Sequence, residues 1–251
     1  MISSADTCTT KQMVRLNITL DSLQLATEMA DLRAAMDALC VNLRFRHAAF
    51  LVTRAGLEAP VGMFLANYPS HWVCAYVDRN YFAIDPVISM ARTAFLPFEW
   101  ASLESASGGS RAFFEEARSY SLGQHGISVP TRAQNGERSV FSVTSDLPEP
   151  DWRYHRAKSL DNLVTFARHF HERFSLISGL RTASAPRPMS PREQQCLKLL
   201  AQGLLTKQIA GALQISESAV RQYLRSAKSK LASRTLAQAM SRAALLDLLQ
   251  I

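Results

Sequence analysis

The sequence predicts an α+β protein in two parts: an α/β/α sandwich around a central antiparallel sheet, then an all-α module of four helices. Three observations carry this. Helical and strand periods alternate through the first 177 residues. Residues 178–189, SGLRTASAPRPM, combine small residues, two prolines and no apolar period, which marks a linker. The net charge of +7 is confined to the end of the chain: residues 1–183 carry 18 basic and 18 acidic side chains, residues 184–251 only 10 and 3. The expected domains are therefore 1–177 and 190–251, joined by 178–189.

Taken in order, residues 1–18 show no clear period. Asp21 is the expected N-cap of an amphipathic helix from about 21 to 43, one break allowed, with Leu32, Met36, Leu39 and Leu43 on its apolar stripe. His47–Thr53 and Pro60–Leu65 read as two strands. The stretch 67–100 reads as helical on both sides of Asp85-Pro86, with Asp85 at a helix start because proline disfavours helix at the residue before it. Residues 102–112 read as a loop broken at Gly108-Gly109, followed by a helix to Tyr120. Gly126–Thr131 and Ser139–Thr144 read as a hairpin around Asn135-Gly136, since both turn residues tolerate positive φ. A long helix from Asp151 to about Ser178 completes the first part, with Leu163, Phe166, Phe170 and Phe174 along one stripe.

Composition narrows the function. An apolar content of 47% supports buried cores rather than disorder. The four cysteines, Cys8, Cys40, Cys74 and Cys196, form no CxxC pair, so neither a zinc site nor a disulfide framework is expected. His169 and His171 lie two apart, where helical side chains diverge, so no metal site is expected. With no long apolar run and a polar start, the chain reads as a reduced, cytoplasmic protein. GxSxG, P-loop and dinucleotide fingerprints are absent, which argues against an enzyme.

Two stretches carry chemistry. In the first, NYPSHWVCAYVDRNYFAIDPVISMARTAFLPFEW (67–100), Trp72 and Tyr76 share a helix face and Asp85 sits among apolar neighbours. An indole N–H, a phenol and a carboxylate between apolar walls describe a pocket for a small amphipathic molecule. The same residues also fit an aromatic core segment with one Asp capping a turn. In the second, from Ser190, Pro191 at the first helical position and Glu193 complete a capping box. Helices are expected to Gly203, over Thr206–Leu213, from Ser216 to about Leu231 and over Thr235–Leu249. Two short helices joined at Gln214-Ile215, the second basic, form a helix-turn-helix pattern. Arg221 and Arg225 are placed to read base edges and Lys228 and Lys230 to meet phosphates, with Gln222 and Lys207 also expected at the DNA.

The spacing WxxxY, Asp-Pro, PFxW resembles the ligand-binding signature of LuxR-type quorum-sensing regulators. SPRE…LKLLAQG…KQIA…ISESAVRQYLRSAKSKL is similar to the DNA-binding domain of the same family. Gln208, Ser226 and Ala232 depart from that pattern, where Glu, Asn and Gly are frequent. A phospho-receiver domain ahead of such a module would need an early acidic pair and a later lysine; residues 1–183 hold only Lys11 and Lys158 and no acidic cluster near a strand end.

The resemblance implies an N-acyl or aryl homoserine lactone as ligand, with no other cofactor. Trp72 would donate to the lactone carbonyl, Asp85 accept from the amide N–H, Tyr76 donate to the amide carbonyl with Ser142 helping, and Trp100 pack on the ring beside Phe95, Pro97 and Phe98. Each polar group would find its partner only in the ligand. Tyr68 and Val87 complete the expected site, with Val87 disfavouring an oxo group on the chain. Phe50, Val52, Met63, Leu65 and Val140 would flank the acyl chain. The family further implies a homodimer, formed through helix 151–178, on inverted-repeat promoter DNA. A regulator of the same architecture acting without ligand, or with a non-lactone signal, is the alternative.

Overall fold

The structure is a computed structural model that describes residues 17–54, 63–133, 136–180, 188–245 and 248–249. Pro60–Gly62, Asn135 and most of the linker lie outside the described residues, and the last helix, expected to reach Leu249, is not helical at 248–249. The chain divides into two compact bodies on either side of the linker.

In the first body, residues 17–25 form α1 and Met29–Leu43 form α2. Asp21 lies inside α1 and does not cap it. The break falls at 26–28, where the Asp31 carboxylate accepts from the backbone N–H groups of Thr27 (2.7 Å) and Glu28 (3.1 Å) and opens a new helix. β1 is Ala48–Arg54 and β2 Phe64–Ala66. The stretch 67–100 contains α3 (Ser70–Asp78), a 3-10 turn at Tyr81–Ala83, α4 (Pro86–Ala91) and a two-residue strand, β3 (Phe98–Glu99). Then follow α5 (Trp100–Glu104) and α6 (Gly108–Ser119). The expected loop break at Gly108-Gly109 is instead the first turn of α6. Ser107 caps it by accepting from the Ser110 N–H, and glycine is tolerated at a helix start.

β4 (His125–Arg132), β5 (Arg138–Ser145) and the long α7 (Glu149–Ile177) complete the body. The five strands run antiparallel in the order β2-β1-β5-β4-β3. Alternation sorts their side chains between two faces. Phe50 and Phe141 point toward α7, where Phe50 packs on Phe170 and Phe174, and Phe141 on Phe166 and Phe170. On the opposite face, Leu51 pairs with both Phe64 and Val140, and Ala49 with both Ala66 and Ser142. The α3–α6 segment covers that side.

The second body contains α8 (Pro191–Ala201), α9 (Thr206–Leu213), α10 (Glu217–Lys230) and α11 (Leu236–Leu245). Its core is Cys196, Leu197, Ile209, Val220, Leu224, Ala227 and Leu231. The capping box forms: Ser190 accepts from the Glu193 N–H and Glu193 from the Ser190 N–H.

Candidate functional site

A cavity lies between the sheet and the helices α3–α6. Its volume is about 80 Å3, room for several waters or a small organic molecule. The sheet contributes Ala49, Leu51, Phe64, Ala66, Val140 and Ser142. The helical side contributes Trp72, Tyr76, Phe82, Asp85, Val87, Ile88, Trp100 and Phe113, with Tyr68 ahead of α3.

Seven of the eight expected pocket residues therefore meet around one space: Tyr68, Trp72, Tyr76, Asp85, Val87, Trp100 and Ser142. Phe98 does not line it; it sits in β3, paired with Ser128. Phe95 is 74% exposed and lies under the Arg132 guanidinium, so it does not flank Trp100. The acyl-chain expectation is out of step by one residue on β1 and β2. Val52, Met63 and Leu65 do not line the cavity, and Phe50 borders it while its ring packs toward α7. Ala49, Leu51, Phe64 and Ala66 take their place, because a one-residue shift moves every side chain to the other face. Val140 keeps its expected position, and Phe50 keeps a place on the wall.

Asp85 is the N-cap of α4, and Pro86 occupies the first helical position, where its missing N–H is no loss. One carboxylate oxygen accepts from the Val87 N–H (2.7 Å), the other from the Tyr76 hydroxyl (2.6 Å). Burial pushes this carboxyl up to about 6, even though both hydrogen bonds favour the charged form. Tyr76 and Asp85 thus pair with each other without any ligand, contrary to the expectation for these two groups. The Tyr76 phenol is driven upward in turn by burial and by the neighbouring carboxylate. Among the described residues no hydrogen-bond partner meets the Trp72 indole N–H or the Tyr68 hydroxyl, both on the cavity wall. Trp72 is otherwise wedged among Tyr76, Tyr81, Phe113 and Tyr120, with ring centroids 5.3–5.9 Å away.

Trp100 lies across Gly126, where a β-carbon would overlap the indole. Its N–H reaches the Ser128 hydroxyl at 2.9 Å, and Ser128 lies 2.8 Å from Ser142. Ser128 was not singled out from the sequence. Its alternation against Ile127 and Val129 in β4 is the signal that could have placed it beside Ser142.

In the second body α10 presents Arg221, Gln222 and Arg225 to solvent. Arg221 is steadied by Glu217 one turn earlier (3.0 Å). Lys207 on α9 is exposed, and Lys228 is half-buried with its ammonium 3.4 Å from the Arg234 carbonyl. Lys230 is not free for phosphate: it donates to Glu193 (2.8 Å) and to the Pro188 carbonyl (3.1 Å). Ser226 also donates to Glu193 (2.6 Å). Burial works to raise the Glu193 carboxyl, but the hydrogen bonds from Lys230, Ser226 and the Ser190 N–H outweigh it and hold it at about 2.

An amphipathic cavity in one body and an exposed basic recognition helix in the other define a small-molecule-sensing transcription regulator. Comparison with known proteins agrees. Residues 28–174 match the autoinducer binding domain, and residues 187–243 match the bacterial regulatory proteins of the luxR family. The chain belongs to the LuxR family of autoinducer-binding regulators and is not an enzyme. It is 44% identical over 185 residues to the transcriptional activator protein RaiR of Rhizobium etli, covering 73% of this chain and 76% of the relative. It is 30% identical to VanR of Vibrio anguillarum, over 71% and 74% of the two chains. The fold is similar to that of Escherichia coli SdiA (TM-score 0.68, 20% identity, 94% and 98% covered). It also resembles that of CepR2 from Burkholderia cenocepacia (TM-score 0.54, 22% identity, 65% and 98% covered). Among the described residues no helix is long and apolar enough to cross a membrane.

Proposed function

We propose that the cavity of the first body binds an N-acyl or aryl homoserine lactone, and that the liganded chain binds inverted-repeat promoter DNA as a homodimer. The observation that carries this reading is the polar cluster in an otherwise apolar cavity: the Asp85 carboxylate, with the Trp72 N–H and Tyr68 hydroxyl beside it awaiting partners. Asp85 accepts from the ligand amide N–H, a hydrogen bond strengthened by the carboxylate charge. Trp72 donates to the lactone carbonyl. Tyr68, rather than Tyr76, donates to the amide carbonyl, since Tyr76 is committed to holding Asp85. Trp100 offers its ring face, its N–H being already bonded. Leu51, Phe64, Phe82 and Val140 line the apolar remainder.

Ligand binding only to the folded body stabilises it by mass action. Two such bodies, paired along α7, set two recognition helices at a fixed spacing, as a two-fold operator requires. CepR2 is described as N-acylhomoserine lactone dependent, which supports the ligand class. A second reading, a non-lactone acyl ligand, has one observation behind it: SdiA, of similar fold (TM-score 0.68, 21% identity), has been solved with octanoyl-rac-glycerol. Lactone-dependent binding of promoter DNA separates the cases. It is expected to be abolished by Asp85→Asn, and survival of full lactone response in that variant means the assigned site is wrong.

A further inference from the structure

Ser128 is fully buried, does not line the cavity, and has no part in the ligand contacts above. Its hydroxyl nonetheless stands between two residues that do line the cavity, 2.9 Å from the Trp100 indole nitrogen and 2.8 Å from the Ser142 hydroxyl. An indole nitrogen only donates, so Ser128 accepts from Trp100. The Ser128 proton then needs an acceptor, and among the described residues the only one in reach is the Ser142 oxygen. The opposite arrangement, Ser142 donating to Ser128, would strand a buried hydroxyl proton, which is unfavourable. The direction Trp100 to Ser128 to Ser142 is thus set by the donor-only end of the chain. It leaves the Ser142 proton free to turn into the cavity.

Resting on the lactone reading, we propose that Ser128 is a positioning residue that fixes Ser142 as a hydrogen-bond donor to an oxygen substituent on the ligand's acyl chain. The amide carbonyl is met by Tyr68 and the amide N–H by Asp85, so the Ser142 proton remains for a further acceptor, a keto or hydroxyl oxygen close to the amide. Val87 taken alone points against such an oxygen; the relay through Ser128 supplies a donor for it from the opposite wall. Gly126 belongs to the same device, because only a residue without a side chain lets Trp100 lie across β4 and reach Ser128.

The test is the affinity of the full-length protein for lactones of one chain length in three forms: unsubstituted, 3-oxo and 3-hydroxy. The wild type is expected to prefer an oxygenated form by about fivefold, the effect of one net hydrogen bond. Ser142→Ala and Ser128→Ala are both expected to bring that ratio close to one, although Ser128 touches no ligand. Should Ser128→Ala fail to fold, Trp100→Phe keeps an aromatic ring, removes the N–H that sets the relay, and is expected to shrink the ratio. Comparison of the 3-oxo and 3-hydroxy arms tells which oxygen is met. A wild type that binds all three equally, or a Ser128→Ala protein that keeps the full preference, overturns the relay while leaving the lactone reading standing. Absence of binding by every lactone in a panel that spans chain lengths and aryl forms overturns that reading and the relay with it.

Discussion

At the scale of the residue, Asp85 is where burial and charge compete. Burial raises its carboxyl to about 6, from an ordinary value of 3.8, so the ligand-free body gains most from this group when it is protonated. That contribution is complete below about pH 4 and fades as the pH rises through about 6. A ligand amide N–H acts in the opposite sense, because it bonds the carboxylate and draws the group toward its charged form. Lactone affinity is therefore expected to weaken by up to about tenfold per unit as the pH falls below 6, and to level off above 7. Calorimetric titration between pH 5 and 7.5 measures this. A flat profile in the wild type contradicts the assigned contact, and an affinity that falls below pH 6 supports it.

At the scale of the element, the C-terminal end of α10 carries two devices that differ in how well they suit their residues. Glu193 ties α8 to α10 through Ser226 and Lys230, a cluster in which Ser226 takes the place of the family's frequent Asn. Past the end of α10, Ala232 holds φ at +46°, a left-handed conformation that glycine adopts without strain. Ala232→Gly is thus expected to stabilise the second body by about 1 kcal/mol, less the backbone freedom glycine adds to the unfolded chain. Urea unfolding of the variant measures it; a lower midpoint would mean that the strain is not there. Helix ends marked by chemistry were legible in the sequence: Ser190 with Pro191 and Glu193, Asp85 with Pro86, Ser216. The break at 26–28 and the start of α6 at Gly108 were not. Each depends on a side-chain cap, from Asp31 and from Ser107, that competes with the intrinsic signals around it. β3 escaped because it is only two residues long. β2 was expected within Pro60–Leu65, but that stretch is apolar at successive positions, where period-two alternation gives no face. The misplaced acyl-chain residues follow directly from that ambiguity.

At the scale of the whole molecule, the charge asymmetry and the aromatic stretch proved the most informative parts of the sequence, because each depends on which residues are present rather than on how they pack. The direction of the hydrogen bonds inside the cavity was not legible in the same way. Tyr76 and Tyr68 are both tyrosines on one side of Asp85, and only their placement separates the one that holds the carboxylate from the one left to meet a ligand. In the second body, Arg221 and Arg225 are expected to read bases and Lys207 to meet phosphate. Arg221→Ala should weaken operator binding by about 1–3 kcal/mol and relax preference at one base pair, whereas Lys207→Ala should weaken all sequences alike and lower the salt slope by about 1. Binding selections from randomised half-sites at two salt concentrations distinguish these. An Arg221→Ala protein with unchanged sequence preference would remove that residue from base reading.

The central claim is that the cavity around Asp85 is the receptor for an acyl or aryl homoserine lactone. Thermal melting of the purified chain against a panel of these lactones tests it most directly. The expected result is a rise of several degrees with a subset of the panel, absent in Asp85→Asn. A protein that is stable alone, binds DNA and shows no shift with any lactone, or an Asp85→Asn variant that shifts as the wild type does, would contradict it.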